Sequence, residues 1–483
     1  MERQESDNGM SRREFLRRAG VLAGAVALAG CAAPTPEVIE KEVVVEKIVK
    51  ETVEVEKQVV VEKEVEKVVT AVPRVLAPAT LNVWINWSER GLDAIQQISA
   101  GFIARHPGMQ VEILPSMGGT EGVTKLLASL AAGNPPDLYT GHANDGGMFT
   151  SRGAILSQEP YLATSRVKKE DFFEAQLNRY THEGELYGIP SIEGAAGQAL
   201  LWNKGMFEEV GLDPEVGPST LEETREWSDM LEILDSAGNV VRLGLHPRDS
   251  RGWSPLDWWF DREWYDPETQ KLNITSPNMI YGVDWIVDFY RHVGPEKMVA
   301  FRQEYGRSMR ANSGFPRKAQ AMIVGGYYLC DQLHTLDLDI ELGLGWMPTM
   351  DGKKVTTMRG WFWLMPVGCP HPDQSWQYIE DFTTVESAFI LKSVAGYWPS
   401  YKPFLDLADW SESPGMQWMI DSPYQADEIY MAPPLPVSTD EVEDRMDSGM
   451  ERMMFEGVSA EEMLTEVEAE VQKLIDQAIA ALG

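Results

Sequence analysis

Trp253, Trp258, Trp259 and Trp264 fall within twelve residues of chain, in a segment that also carries Pro255 and Asp257. Trp361 and Trp363 form a second group just after Arg359. One chemistry that these residue types would serve is the holding of a sugar. An indole face covers the C–H side of a sugar ring and freezes few rotamers in doing so. Carboxylates and guanidinium groups hold hydroxyls through charge-assisted or bidentate hydrogen bonds. Trp253, Asp257, Trp258, Trp259, Arg359 and Trp361 are therefore candidates for holding an uncharged polyhydroxyl ligand, and Glu193 is a further one. Each has an ordinary alternative. Tryptophan also serves as core packing, Asp257 and Arg359 as an ion pair, and Glu193 as part of a solvated loop. Trp227, Trp285 and Trp376 sit on helical apolar faces and read as core.

Other chemistries find less support. The sequence has no Gly-x-Ser-x-Gly elbow, no His-Glu-x-x-His, no phosphate-binding loop of the Walker type and no calcium loop of the EF-hand type. Seven scattered histidines and the cysteines Cys330 and Cys369 give no zinc-ligand spacing, so no metal and no cofactor is expected. A glycoside hydrolase needs two carboxylates facing each other across a sugar. The acids here are many and sequence cannot pair them, so a carbohydrate-active enzyme stays open as an alternative, as does a passively displayed surface protein. Cys330 and Cys369 either bridge in an oxidising compartment or remain two buried thiols.

Cys31 has a different use. Ser11-Arg12-Arg13-Glu14-Phe15-Leu16 has the form of a twin-arginine export signal, and an apolar run from Ala19 to Gly30 follows it. Leu28-Ala29-Gly30-Cys31 closes the run as a lipobox would, with lipid on Cys31 and cleavage before it. The run is too short to span a bilayer stably, an uncut anchor being the alternative. Residues 1–30 are thus expected to be a removable signal. The mature chain is expected outside the cytoplasm, held at the membrane by its lipid. Residues 31–79 hold the lipidated cysteine and a stalk. Glu37 to Val69 consists mostly of Val, Glu and Lys with no sustained period, and is either a helical stalk or a charged spacer.

The remaining length of this 483-residue chain is enough for two lobes rather than one core. A net charge of −33 makes nucleic acid and anionic headgroups poor partners, and a strongly anionic ligand a poor fit.

The elements that would position the candidates follow from periodicity. Leu81–Asn86, Gln110–Leu114 and Asp137–Tyr139 are strand patterns. Between them lie two amphipathic helices, one capped by Ser88 with Leu92, Ile95, Ile98 and Phe102 inward, the other ended by Gly133. Alternation of strand and helix predicts a parallel sheet with right-handed crossovers. In such sheets ligands lie beyond the carboxyl ends of the strands. That adds Trp87, Ser88 and Glu89 after the first strand, and Asn144 and Asp145 in the loop after Tyr139. Farther on, Ser219 with Glu222 and Ser459 with Glu462 are capping boxes, and Ser276-Pro277 starts a helix.

From Leu81 to about Lys473 the chain resembles the sugar-binding family of extracellular solute-binding proteins that feed ABC importers. The resemblance is carried by His106-Pro107-Gly108-Met109-Gln110-Val111, by Ala131-Ala132-Gly133-Asn134-Pro135-Pro136-Asp137-Leu138, and by Gly184-Glu185-Leu186-Tyr187-Gly188-Ile189-Pro190 followed by Leu201-Trp202-Asn203-Lys204. Lys318 to Tyr327 and Gly396-Tyr397-Trp398-Pro399-Ser400 complete it. Trp202 and Tyr327-Tyr328 depart from the family pattern at positions that could touch ligand, which makes Tyr327 a further candidate.

The resemblance implies an α/β, two-lobed periplasmic-binding-protein type II fold. Each lobe would be a doubly wound sheet flanked by helices, the two joined by a hinge. The expected division sets 80–189 plus 315–360 as the N-terminal lobe against 190–314 plus 361–483 as the C-terminal lobe. The partners it implies are a carbohydrate, or a non-sugar solute as the alternative, and ABC permease transmembrane subunits.

Overall fold

The structure is a computed structural model. It describes residues 76–480 except 116–118, 191, 195–197, 249–258, 307–312, 328, 331–332, 334–337, 339, 359 and 410–414. Cys31, the signal, the stalk to residue 75, and Trp253, Asp257, Trp258 and Arg359 lie outside the described residues.

The main elements, in chain order, begin with β1 (Ala79–Ile85), α1 (Glu89–Arg105), β2 (Met109–Pro115), α2 (Gly119–Ala131), β3 (Leu138–His142) and β4 (Ile189–Pro190). There follow β5 (Gln198–Asn203), α3 (Leu221–Leu231), β6 (Ile233–Leu234), β7 (Val240–Leu245), α4 (Pro277–Val293) and α5 (Pro295–Tyr305). Next are β8 (Gln320–Gly326), β9 (Leu342–Gly345), β10 (Val355–Thr357), β11 (Trp361–Leu364) and α6 (Pro372–Phe382). The chain ends with β12 (Glu428–Tyr430), α7 (Thr439–Phe455) and α8 (Ala460–Ala480).

The protein has two sheet-centred lobes. The first sheet runs β2-β1-β3-β11-β4; β1 pairs in parallel with β2 and β3, as the strand–helix alternation requires, and β11 enters antiparallel beside β3. The second runs β9-β5-β8-β7-β6, with β8 parallel to β7 and antiparallel to β5. Strand β5 is buried on both faces: Leu200 and Trp202 join one core while Ala199 and Leu201 join another. The strand period of two sends neighbours to opposite sides, so helices must cover both.

Local expectations hold in most places. Ile95, Ile98 and Phe102 of α1 are buried. Ser276 caps α4 by accepting from the Met279 amide, with Pro277 in the first turn. Ser459 accepts from the Glu462 amide ahead of α8. Two caps differ. Ser88 stands at the start of α1 without a side-chain cap bond. The box before α3 is moved by one residue: Thr220 caps the Glu223 amide, and the Glu223 carboxylate reaches back to Ser219.

The expected lobe division needs correction. Residues 320–345 supply β8 and β9, which pair inside the second sheet, so 315–360 do not form part of the N-terminal lobe. Conversely Trp361–Leu364 is β11 of the first sheet, and α6 packs Trp376, Ile379 and Phe382 into the core beside Leu81 and Val83. The chain therefore makes no crossing at the expected 314/315 boundary, and the expected boundary at 360/361 is where it returns to the first lobe. The crossing segment β10 runs parallel to β12, with the Asp427 amide donating to the Lys354 carbonyl at 2.8 Å. Two strands laid side by side thus link the lobes.

Cys330 and Cys369 are both buried and do not bridge to each other. Burial, followed by the charge of Asp137, pushes Cys369 up to about 12. Among the described residues no helix is long and apolar enough to cross a membrane, and no group of three or more His, Cys, Asp and Glu could hold a metal ion.

Candidate ligand-binding cleft

The carboxyl ends of the strands bring aromatic side chains together. Trp87 follows β1, His142 ends β3, and Trp361 begins β11 opposite His142 in the ladder. The ring of Trp361 lies 5.0 Å from that of Trp87 and 5.0 Å from that of His142, edge-to-face in both cases. Tyr397 closes the group at 6.2 Å from Trp87. Gly91, one turn into α1, leaves room for this contact: a Cβ there would sit 3.0 Å from both Trp87 and Tyr397.

The second lobe contributes through the end of β8. Tyr327 stacks on Trp398 at 5.3 Å, and its hydroxyl donates to Glu193 Oε2 at 2.8 Å. Glu193 lies in the segment between β4 and β5, where the chain passes from the first sheet to the second. It also acts on Tyr397. Burial, then the Glu193 charge, pushes that phenol up to about 12, against the pull of Arg90. Glu193 therefore joins the two aromatic pairs electrostatically.

The hinge side is polar. Asn144, Arg179, Thr357, Met358 and Tyr430 line a cavity of about 20 Å³, room for roughly one water. The Asn144 carbonyl accepts from Thr439 at the start of α7, and the Arg179 Nε donates to the Ala143 carbonyl at 2.9 Å. Asp145 stands beside Tyr139 and Tyr180, whose phenols are raised first by burial and then by this carboxylate.

The predicted residues thus separate. Trp87, Glu193, Tyr327 and Trp361 come together. Ser88 and Glu89 are exposed beside Trp87, with Glu89 held at φ 49°, a conformation uncommon for a side chain of its size. Asn144 and Asp145 lie toward the hinge. Trp259 does not belong: its side chain is fully buried in the second-lobe core, 6.1 Å from Phe260 and 6.2 Å from Trp285. Trp264 is equally buried and donates to the Tyr430 hydroxyl at 2.8 Å. Trp202, at a position where ligand contact was conceivable, is core as well, its indole N–H donating to the Pro214 carbonyl.

Sequence reasoning missed His142 and Tyr397. Both lay inside stretches already singled out, the loop after Tyr139 and the Gly396–Ser400 turn. Trp398, beside Tyr397 in that turn, is fully buried and backs Tyr327 from the core.

The arrangement brings together aromatic rings at the strand ends of the first lobe, a carboxylate, and hydroxyl and imidazole groups.

The family model for bacterial extracellular solute-binding proteins matches residues 97–417. A curated relative, the arabinooligosaccharide-binding protein of Halalkalibacterium halodurans, is 32% identical over 76 residues, which is 15% of each chain. Among solved structures, CpMnBP1 with mannobiose bound is 22% identical, with a TM-score of 0.68 over 81% of this chain and 99% of that one. The sugar-binding protein MalE from the phytopathogen Xanthomonas citri is 16% identical, with a TM-score of 0.67 over 83% and 98%. These likenesses fix the two-lobed fold.

Proposed function

Because the chain belongs to the bacterial extracellular solute-binding protein family, whose place is outside the cytoplasm, we propose that it captures an uncharged sugar or short oligosaccharide between its lobes. It then passes the sugar to the transmembrane subunits of an ABC importer. The observation that carries this reading is the gathering of Trp87, His142, Trp361 and Tyr397 at the strand ends of the first lobe beside the Glu193 carboxylate, which Tyr327 of the second lobe holds. Edge and face of these rings suit C–H surfaces, and the carboxylate suits hydroxyls. The net charge of −33 disfavours an anionic solute. The relatives named above carry mannobiose, arabinooligosaccharide and sugar in their descriptions, in keeping with this.

Capture works by closure. The paired segments β10 and β12 and the crossing near Ile192–Gly194 are the links about which the lobes would rotate. A sugar drives closure only as far as it binds the closed form better than the open one. From the sequence alone, residues 1–30 are read as a twin-arginine lipoprotein signal and Cys31 as the lipid attachment point.

Intrinsic tryptophan fluorescence titrated with mono- and oligosaccharides tests the reading. Saturation with the sugar recovered intact is expected. Recovery of cleaved sugar would make the protein an enzyme. Saturation only by non-sugar solutes would reassign the ligand class. Mass spectrometry of the membrane-extracted chain should find lipid on Cys31.

A further inference from the structure

A second cavity lies within the second lobe, apart from the cleft. It has a volume of about 270 Å³ and is lined by Arg248, Tyr290, Met298, Arg302, Asp447 and Met454, among others. Its walls are the end of β7, α4, α5 and α7. Thr439 at the start of α7 touches Asn144, whereas Asp447 stands eight residues farther along, about 12 Å of helix away. The cavity is just below the roughly 300–1,000 Å³ range of small-molecule sites, so it suits a single ring rather than an oligomer.

Its floor carries polar groups that the fold does not use up. Arg248 is buried, and Nη2 pairs with Asp447 Oδ1 at 2.5 Å, but Nε has no hydrogen-bond partner. Unsatisfied buried donors of this kind are costly. Arg302 Nη1 donates to the Arg248 carbonyl at 3.3 Å, which places a second guanidinium at the same spot. Asp447 and Glu451 balance the two positive charges. An anion would meet these carboxylates, and a cation would meet the guanidinium groups. A hydroxyl both donates and accepts, so it can serve the guanidinium groups and the carboxylates together. The rim is apolar: Val299 and Phe455 are 39% and 51% exposed, a surface for C–H groups.

We propose that this cavity is a second ligand site, taking a small uncharged polyol of monosaccharide size, and that it fills independently of the cleft. The reading stands on the cavity and the balanced charged groups that line it, not on the function proposed for the cleft.

The test uses protein labelled with methyl-13C methionine, because Met298 and Met454 line the cavity. Their signals are assigned through Met298→Leu and Met454→Leu. D-mannose, L-arabinose and myo-inositol are titrated, with L-leucine and acetate as charged comparators. At least one polyol should shift both signals with a saturating curve in the millimolar range, in the wild type and in Trp361→Ala alike. Arg248→Met should weaken that response at least tenfold. Val299→Trp, at an exposed rim position where the fold has little at stake, should do the same by filling the mouth. Absence of saturation with every polyol overturns the proposal. So does a response only to leucine or acetate, one unchanged in Val299→Trp, or one lost in Trp361→Ala.

Discussion

The Tyr327 hydroxyl donates to Glu193 Oε2 at 2.8 Å, which ties the end of a second-lobe strand to the segment where the chain leaves the first lobe. This bond fixes a carboxylate that also faces Tyr397. Tyr327→Phe keeps the ring stacked on Trp398 and removes only the donor. A hydrogen bond of this kind is worth about 1 kcal/mol net, somewhat more to a charged acceptor. Sugar affinity, read by calorimetry, should fall about five- to tenfold while the melting temperature changes little. Unchanged affinity would place Tyr327 outside the site.

Trp361 and Trp259 should part company under the same substitution. Trp361 is half-buried and meets Trp87 and His142 at the strand ends. Trp361→Ala should weaken sugar binding by about 1–3 kcal/mol, the value of burying a large side chain, with the circular dichroism intact. Trp259 is enclosed against Phe260 and Trp285. Trp259→Ala should cost about 3–5 kcal/mol of folding stability and leave the affinity of the folded fraction unchanged. Equal effects on affinity would refute the separation.

These two residues also show what a sequence carries. The first three strands and the inward face of α1 follow from local periodicity and were legible. Whether an indole turns inward or outward is not a local property. Trp259 sits in a segment of ordinary polarity, and only the packing of α4 behind it decides that it is core. The lobe division failed for a related reason. Nothing within Trp361–Leu364 says that it inserts antiparallel beside β3, more than two hundred residues earlier; sheet partners are chosen across the chain. The box at Ser219 slipped by one residue because Ser219 and Thr220 both suit a cap, and Glu223 settled the choice. The candidate residues after strand ends were reachable because the fold rule fixes where loops converge, not which ring lies where.

Gly360 is the place where the first crossing and the return crossing touch. Its φ is +150°, its carbonyl accepts from the Ala143 amide at 2.9 Å, and a Cβ there would fall 2.1 Å from the Glu193 carbonyl oxygen. Gly360→Ala must push the two crossings apart. It should lower stability by about 2 kcal/mol or more, beyond the usual gain or loss at a permissive glycine, and weaken sugar binding by displacing Glu193. Urea melts and calorimetry on one preparation check both. A variant with unaltered stability and affinity would mean that the crossings move freely past each other.

His246 sets part of the acid sensitivity. Burial first, then the charges of Arg302 and Arg248, holds the imidazole down at about 3; Tyr290 faces it, its hydroxyl 3.5 Å from Nε2, and Phe301 stacks on it. In the unfolded chain a histidine titrates near 6.5. Between those values the unfolded state binds the extra proton, so the neutral imidazole contributes its full share above about 6.5 and loses it as pH falls toward 3. The slope from this one group is at most about 1.4 kcal/mol per pH unit. Urea unfolding of wild type and His246→Gln from pH 7 to pH 4 reads it directly. The wild type should lose stability more steeply across that window, and the two slopes should agree above pH 7. Parallel curves throughout would show that the folded protein admits a proton at His246 as readily as the unfolded chain does.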